Sequence, residues 1–330
     1  GMITPGHAAW LTACVQLGFV LGTLISALLS LADRVEPRRL FLTCALLAAA
    51  ATLAQTQVAP AGAAALALRV VAGAAMAGVY PVGMKLAASW AKGDLGLLIG
   101  LVVGALTLGS ALPHLLPAVV GSLDWRGAYA GAGGLAVLGG LLILPFRPGP
   151  LLGARPPFHP AQALEAWRNR GLRLANLGYL GHMWELYAMW AWIGVFLAGV
   201  LGRPQVGAWV FGVVAAGAAG CVLAGWAADR WNRAKVAAIC MLVSGACALL
   251  IGPASAWPTL GLGLAFLWGF TVVADSAQFS ACVVSLSPPD YVGTMLTVQT
   301  SLGFLLTAVV IGVLPYAMAG LGVGGAFALL

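Results

Sequence analysis

Residues 30–42 read "SLADRVEPRRLFL", and residues 225–237 read "GWAADRWNRAKVA". Each stretch carries an Asp-Arg pair followed by a small basic cluster. Each also stands where a long apolar run ends. The two aspartates, Asp33 and Asp229, are 196 residues apart, with six steps of apolar stretch between them. A repeat of that size points to a duplicated unit, and its class follows from the composition around it.

Apolar residues make up 62% of the 330 and charged residues 8%, against about 45–50% and about 25% in ordinary soluble domains. A soluble surface cannot be covered at that charge content, so the expected fold class is an all-α integral membrane protein. A spanning helix needs about 20 mostly apolar residues. Such runs fall at 8–31, 40–58, 60–90, 95–120, 128–146, 174–200, 207–228, 236–252, 257–286 and 291–318, with an eleventh starting near 321. The 45 glycines and 18 prolines suit close helix packing and broken helices in lipid. The opening residues lack the basic start of a signal peptide, and the first apolar run is too long for one. Six cysteines lie scattered in apolar runs without metal-ligand spacing and read as small buried hydrophobes.

The net charge of +7 raises the question of nucleic acid, and its placement answers it. Twelve of the 16 Lys and Arg sit in loops on one side, and only Arg126 and Arg203 sit in loops on the other. That asymmetry is the positive-inside signal and puts the Arg34 loop in the cytoplasm. The long connection 147–173 is rich in proline and arginine and divides an N-terminal bundle (1–146) from a C-terminal bundle (174–330). Residues 160–169 within it are expected to form a short amphipathic piece on the membrane surface.

The paired motifs resemble those of the major facilitator superfamily, whose loop motif reads roughly Gly-x-Leu-Ala-Asp-Arg-x-Gly-Arg-Arg/Lys. The first copy matches it with Ala32, Asp33, Arg34, Arg38 and Arg39. The second matches with Gly225, Ala228, Asp229, Arg230, Arg233 and Lys235. Leu29 and Glu36 stand where the family has glycines, which implies looser packing at the first copy. Arg69 and Gly73 match the Arg-x-x-x-Gly motif of the fourth family helix. The run 100–115 lacks the Gly-Pro pair of the antiporters. The resemblance implies two pseudo-symmetric six-helix bundles moving by alternating access. Two units of that repeat make about 390 residues, so the chain is expected to be a fragment lacking the first helix and most of the last. Each aspartate is expected to latch a cytoplasmic helix end, pairing with arginines and with the positive N-terminus of a neighbouring helix. The alternative is that the basic residues only set topology and touch lipid headgroups.

An ionisable group inside the bilayer costs several kcal/mol, which makes each one a functional candidate. Arg69 shares a helical face with Gly73, Met76 and Tyr80; the family resemblance implies a coupling or substrate-anion role for it, the alternative being an arginine that snorkels outward or bonds backbone carbonyls. Glu185 stands mid-helix with His182, Met189 and Trp192 nearby on the wheel. A carboxyl group in such apolar surroundings is a candidate to carry a proton, with His182 as its relay. Trp184, Tyr187, Trp190 and Trp192 line a pocket or simply pack. Asp275, flanked by Thr271, Gln278 and Phe279, reads as cavity lining. His114 shares a stripe with Thr107 and Ser110, and Thr294, Thr297 and Ser301 form another. Lys85, opposite Arg69 on the wheel and near a helix end, is expected to snorkel to the interface.

There is no Walker loop, no Ser-His-Asp ordering and no metal-spaced cluster. The expectation is a non-enzymatic secondary transporter without cofactor or metal, driven by a proton gradient. It would be monomeric in the bilayer of a bacterial inner membrane, with a small-molecule substrate and no nucleic acid. Proton-coupled uptake of a small metabolite or organic anion is the main reading. Proton-driven efflux of drugs or metabolites, and a non-transporting sensor, are the alternatives.

Overall fold

The computed structural model describes the backbone of residues 5–120, 125–153, 160–202 and 206–330, and all of these side chains except those of 5–9, 116–120 and 160. Arg155, His159 and Arg203 fall outside the described residues, as does the side chain of His7.

Among the described residues the chain is helical, without strands. In order, the helices are α1 (Pro5–Leu29), α2 (Leu31–Arg34), α3 (Pro37–Ala54), α4 (Ala63–Met76), α5 (Tyr80–Ala88), α6 (Leu95–Val120) and α7 (Trp125–Leu141). They continue with α8 (Glu165–Arg168), α9 (Arg170–Leu201), α10 (Gly207–Arg230), α11 (Arg233–Ala254), α12 (Pro258–Thr271), α13 (Ser276–Leu286) and α14 (Val292–Phe327). Nine stretches among the described residues are long and apolar enough to cross a membrane. Of the ten runs expected from sequence, the exception is 128–146, where the glycine-rich α7 is only 17 residues long. The run expected to begin near 321 does so after Gly322, whose φ of 68° and ψ of 170° interrupt α14.

Two further breaks matter for function. Residues 77–79 separate α4 from α5, and residues 272–275 separate α12 from α13. The spacing between them is the same 196 residues, within one position, that separates Asp33 from Asp229. Residues 77–79 bond i to i−3 (Ala77 N to Ala74 O, Gly78 N to Ala75 O, Val79 N to Met76 O), so the wheel that relates Tyr80 to Arg69 in a continuous α-helix shifts in phase there. The same break frees Lys85 from the position expected for it.

The chain divides into two compact units, each drawing on both halves of the sequence. The first comprises Gly1–Trp90, Leu123–Leu174 and Val283–Ala308. Here α1 packs on α4 through Gly73: a Cβ at Gly73 would fall 2.9 Å from Phe19 N, so the helix-four motif serves backbone approach. The chain after α7 returns to the end of α5. Gly149 N donates to Ser89 Oγ at 2.8 Å, and Trp90 Nε1 donates to Arg147 O at 2.8 Å.

The second unit comprises Ala91–Ser122, Ala175–Cys282 and Val309–Leu330. Its centre is the α6–α10 contact, held close by small residues. A Cβ at Gly100 would meet Cys221 O at 2.5 Å, and one at Gly225 would meet Leu97 Cα at 3.0 Å. Phe327, after the Gly322 kink, is fully buried against Phe196 and Trp268, with ring centroids 6.0 and 5.0 Å away.

Candidate functional site: two aspartate latches and a buried acid cluster

Both motif copies build the same structure. In the first, Ser30 adopts a left-handed conformation (φ 51°, ψ 38°) that ends α1 and re-aims the chain into α2. That turn, uncommon for a side chain other than Gly, Asn or Asp, carries Asp33 to the start of α14. Gly293 N donates to Asp33 Oδ1 at 2.8 Å. Thr294 N and Thr294 Oγ1 donate to Oδ2 at 2.5 and 2.7 Å. In the second copy Asp229 meets the start of α6, accepting from Gly96 N at 2.7 Å and Leu97 N at 2.8 Å. Each carboxylate thus satisfies two N–H groups that helix geometry leaves orphaned, and faces the positive end of the helix dipole. Glycines permit the approach on both sides: a Cβ at Gly293 would lie 2.6 Å from Asp33 Oδ1, and one at Gly96 would lie 2.7 Å from Gly225 O. Leu29, which replaces the motif glycine, is exposed.

The residues Glu36 and Asn232 also correspond across the repeat, and both cap the helix that follows. Glu36 accepts from Arg38 N at 3.3 Å and Arg39 N at 3.0 Å, and Asn232 Oδ1 accepts from Lys235 N at 3.0 Å. Burial pushes the Glu36 carboxyl up, but the Arg38 side chain and the two backbone N–H groups outweigh it. The net effect holds Glu36 below its ordinary value.

The cations differ from expectation. Among the motif's basic residues, Arg233 reaches its aspartate at 3.3 Å. Arg38 pairs with Glu36 at 3.0 Å and donates to Phe146 O. Arg39 is largely exposed, 4.0 Å from Glu36. Arg34 reaches Leu29 O at 3.5 Å, Arg230 lies 4.1 Å over the Trp226 ring, and Lys235 is exposed. The partner of Asp33 is Lys85. Its ammonium bonds the carboxylate and, at 3.1 Å, Ala32 O, with side-chain exposures of 4% for Lys85 and 0% for Asp33. Lys85 therefore does not snorkel. A carboxylate buried at the end of α2 supplies a counter-charge where the wheel shows only an apolar face.

Arg69 is half-buried. Its guanidinium donates to Tyr129 Oη and lies 4.7 Å from that ring's centroid. Its Nε has no hydrogen-bond partner, and no carboxylate among the described residues pairs with it. Tyr80 is half-buried at the start of α5.

Glu185 is 7% exposed. Its Oε1 accepts from Ser244 Oγ on α11 and from Trp268 Nε1 on α12, the latter at 2.6 Å. His182, the expected relay partner of Glu185, has its Nδ1 2.8 Å from Asp275 Oδ1 and remains an electrostatic neighbour of Glu185. Gln278 is fully buried one turn further along, and neither of its amide atoms has a partner among the described residues. Thr271 and Thr107 bond their own helices at 2.9 Å, to Leu267 O and Val103 O. His114 is half-buried, and its carbonyl lies where a Cβ on Gly207 would come within 2.5 Å. Trp184 Nε1 donates to Leu329 O at 3.1 Å, and the Tyr187 ring lies tilted at 60° to Trp190 with centroids 5.4 Å apart.

Sequence reasoning missed Tyr129, Ser244, Gly293, Gly96 and Leu97. Two missed partners had visible signals: Lys85 as a charge in an apolar helix, and Thr294 in its polar stripe.

The family model of the Major Facilitator Superfamily matches residues 2–329. The chain belongs to the major facilitator superfamily. It is thus a multi-pass integral membrane protein of a transporter family, and its substrate is a small molecule. Solved structures agree on the fold. The human organic anion transporter MFSD10 (TETRAN) aligns with TM-score 0.80 and 21% identity, covering 98% of this chain and 80% of its own. The proton:xylose symporter XylE, bound to 6-bromo-6-deoxy-D-glucose, gives 0.76 and 15%, over 98% and 82%. The transporter FucP in the outward conformation gives 0.77 and 12%, over 99% and 87%. No curated protein matches the sequence.

Proposed function

We propose that this protein is a proton-coupled symporter that takes up a small organic anion by alternating access. The observation that carries the reading is Arg69. A guanidinium in an apolar helix, bonded only to the neutral Tyr129 among the described residues, lacks the anion that would compensate it. A substrate carboxylate supplies it bidentately. The coupling acid is Glu185, held by the neutral donors Ser244 and Trp268 rather than by a cation. The Asp33 and Asp229 latches hold helix ends in one state of the cycle and release them in the other. The basic loops face the cytoplasm of a bacterial inner membrane, the bundles 1–146 and 174–330 move as halves, and the protein works as a monomer without cofactor. Tyr80, His114 and Gln278 contribute to substrate selection.

Proton-driven efflux of amphipathic cations is the second reading, favoured by Glu185 having no Lys or Arg ion pair among the described residues and by the aromatic side chains of α9. A thermal-shift screen of the purified protein against short carboxylates and lipophilic cations at about pH 5.5 and 8 separates them, since a ligand of the native state raises its melting temperature. Carboxylate stabilisation at the lower pH, lost in Arg69→Gln, is expected. Stabilisation by cations alone, favoured at the higher pH, rejects uptake for efflux.

A further inference from the structure

Glu185 and His182 stand one turn apart on α9, yet their side chains have different nearest polar partners. Glu185 is bound by α11 and α12 through Ser244 and Trp268. His182 is bound by the α12–α13 break, where Asp275 lies 2.8 Å from its Nδ1. Side-chain exposure is 0% for His182 and 3% for Asp275. The titratable groups facing Asp275 are His182 and Glu185 on α9, Cys221 on α10 and Cys240 on α11. Cys247 faces Glu185. No Lys or Arg pairs with either carboxylate among the described residues.

Charge conservation then constrains the cluster. With both acids ionised and the imidazole neutral, two negative charges stand uncompensated in an apolar interior, a state costing several kcal/mol per ion. One proton on the His182–Asp275 pair makes that pair neutral overall, whether it forms the N–H bond of an imidazolium on Nδ1 or the O–H bond of a carboxylic acid on Oδ1. A second proton, on Glu185, removes the remaining charge. The two sites have different partners: Glu185 Oε1 accepts from Ser244 and Trp268, whereas Asp275 Oδ1 lies 2.8 Å from His182 Nδ1. Two protons are the number that makes the three-residue cluster neutral.

We propose that the cluster binds two protons at separable sites: one shared by His182 and Asp275, and one on Glu185. The inference rests on the proton-coupling reading above and deepens it. Two protons moving with a monoanion carry one net positive charge, so uptake of a monocarboxylate is electrogenic and that of a dicarboxylate is not.

The test is a pH titration of the protein in lipid by isotope-edited infrared difference spectroscopy, with samples labelled in Glu carboxyl, Asp carboxyl or His ring carbons, from about pH 4 to 10. The chain has 4 histidines, and His182→Gln identifies the signal of residue 182. The expected result is two proton-dependent signals, one sensitive to the Glu label and one to the His and Asp labels. Glu185→Gln removes the first alone; His182→Gln removes the His-label component of the second and leaves a proton on Asp275, and Asp275→Asn removes the Asp-label component, each without changing the Glu signal. A His182 ring signal that vanishes in Glu185→Gln, or a wild-type titration with only the Glu signal, overturns the second site and leaves Glu185 as the coupling acid. A wild type in which none of the three residues titrates overturns both this proposal and the proton-coupling reading. Should Asp275→Asn fail to fold, the labelled wild type and His182→Gln decide alone.

Discussion

The two latches share a design but not an environment, and that difference predicts unequal mutants. Asp33→Asn leaves Lys85 buried at 4% exposure without its carboxylate. Breaking a buried pair by removing one partner costs about 3–5 kcal/mol, because the remaining charge is uncompensated. The asparagine also has only one acceptor oxygen for the donors at Gly293 and Thr294. Asp229→Asn loses less. Its cation, Arg233, is 22% exposed and returns to solvent, so about 1–2 kcal/mol is expected from the weakened helix cap and dipole interaction. Thermal unfolding in detergent, with near-ultraviolet circular dichroism as the readout, compares the two. At about 2–4 °C per kcal/mol, Asp33→Asn falls about 6–20 °C and Asp229→Asn about 2–8 °C. The double variant Asp33→Asn/Lys85→Met removes the stranded charge and recovers about 1–3 kcal/mol relative to Asp33→Asn alone. Equal losses at the two aspartates, or a double variant no better than Asp33→Asn, would refute the assignment of Lys85 as the buried partner.

Three further outcomes follow from other contacts. Gly225→Val places side-chain atoms against Gly96 and Leu97 where a single Cβ already reaches 3.0 Å, and destabilises by about 1–3 kcal/mol in thermal unfolding; an unchanged melting temperature contradicts the α6–α10 packing. Glu36→Ala removes the cap of α3 at a cost of about 1 kcal/mol. Because Glu36 is held below its ordinary 4.5, that contribution is complete above pH 4.5 and is lost as pH falls through the lowered value. The wild type and Glu36→Ala should therefore converge in melting temperature on acidification, and a constant gap argues against the cap. Glu185→Gln should abolish proton-driven accumulation while substrate counterflow persists; accumulation at the wild-type level rules out Glu185 as the coupling acid.

Much of this architecture is legible from residue pattern, and the reasons are specific. Composition forces the membrane class. The 196-residue repeat marks Asp33 and Asp229, and a carboxylate at a helix end has a physical use that points to a neighbouring N-terminus. Which N-terminus could not be read, since Gly293 is 260 residues from Asp33 and only the tertiary fold joins them. The cation was misread for a related reason: Lys85 was placed by a wheel continued through the break at 77–79, where the helical phase is reset. His182 was assigned to Glu185 because they share a face of α9, whereas the break at 272–275 presents Asp275 at shorter range. Local periodicity thus marks candidate positions and assigns their partners poorly wherever a helix is interrupted.

The most direct test of the transport account is proton movement driven by substrate alone. The protein is reconstituted in liposomes with an entrapped pH indicator, without an imposed gradient, and short mono- and dicarboxylates are added outside with the permeant acid background subtracted. The account predicts internal acidification by at least one carboxylate in the wild type, absent in Arg69→Gln and in Glu185→Gln. Acidification that persists in Arg69→Gln, or carboxylate entry without any proton movement, would contradict it.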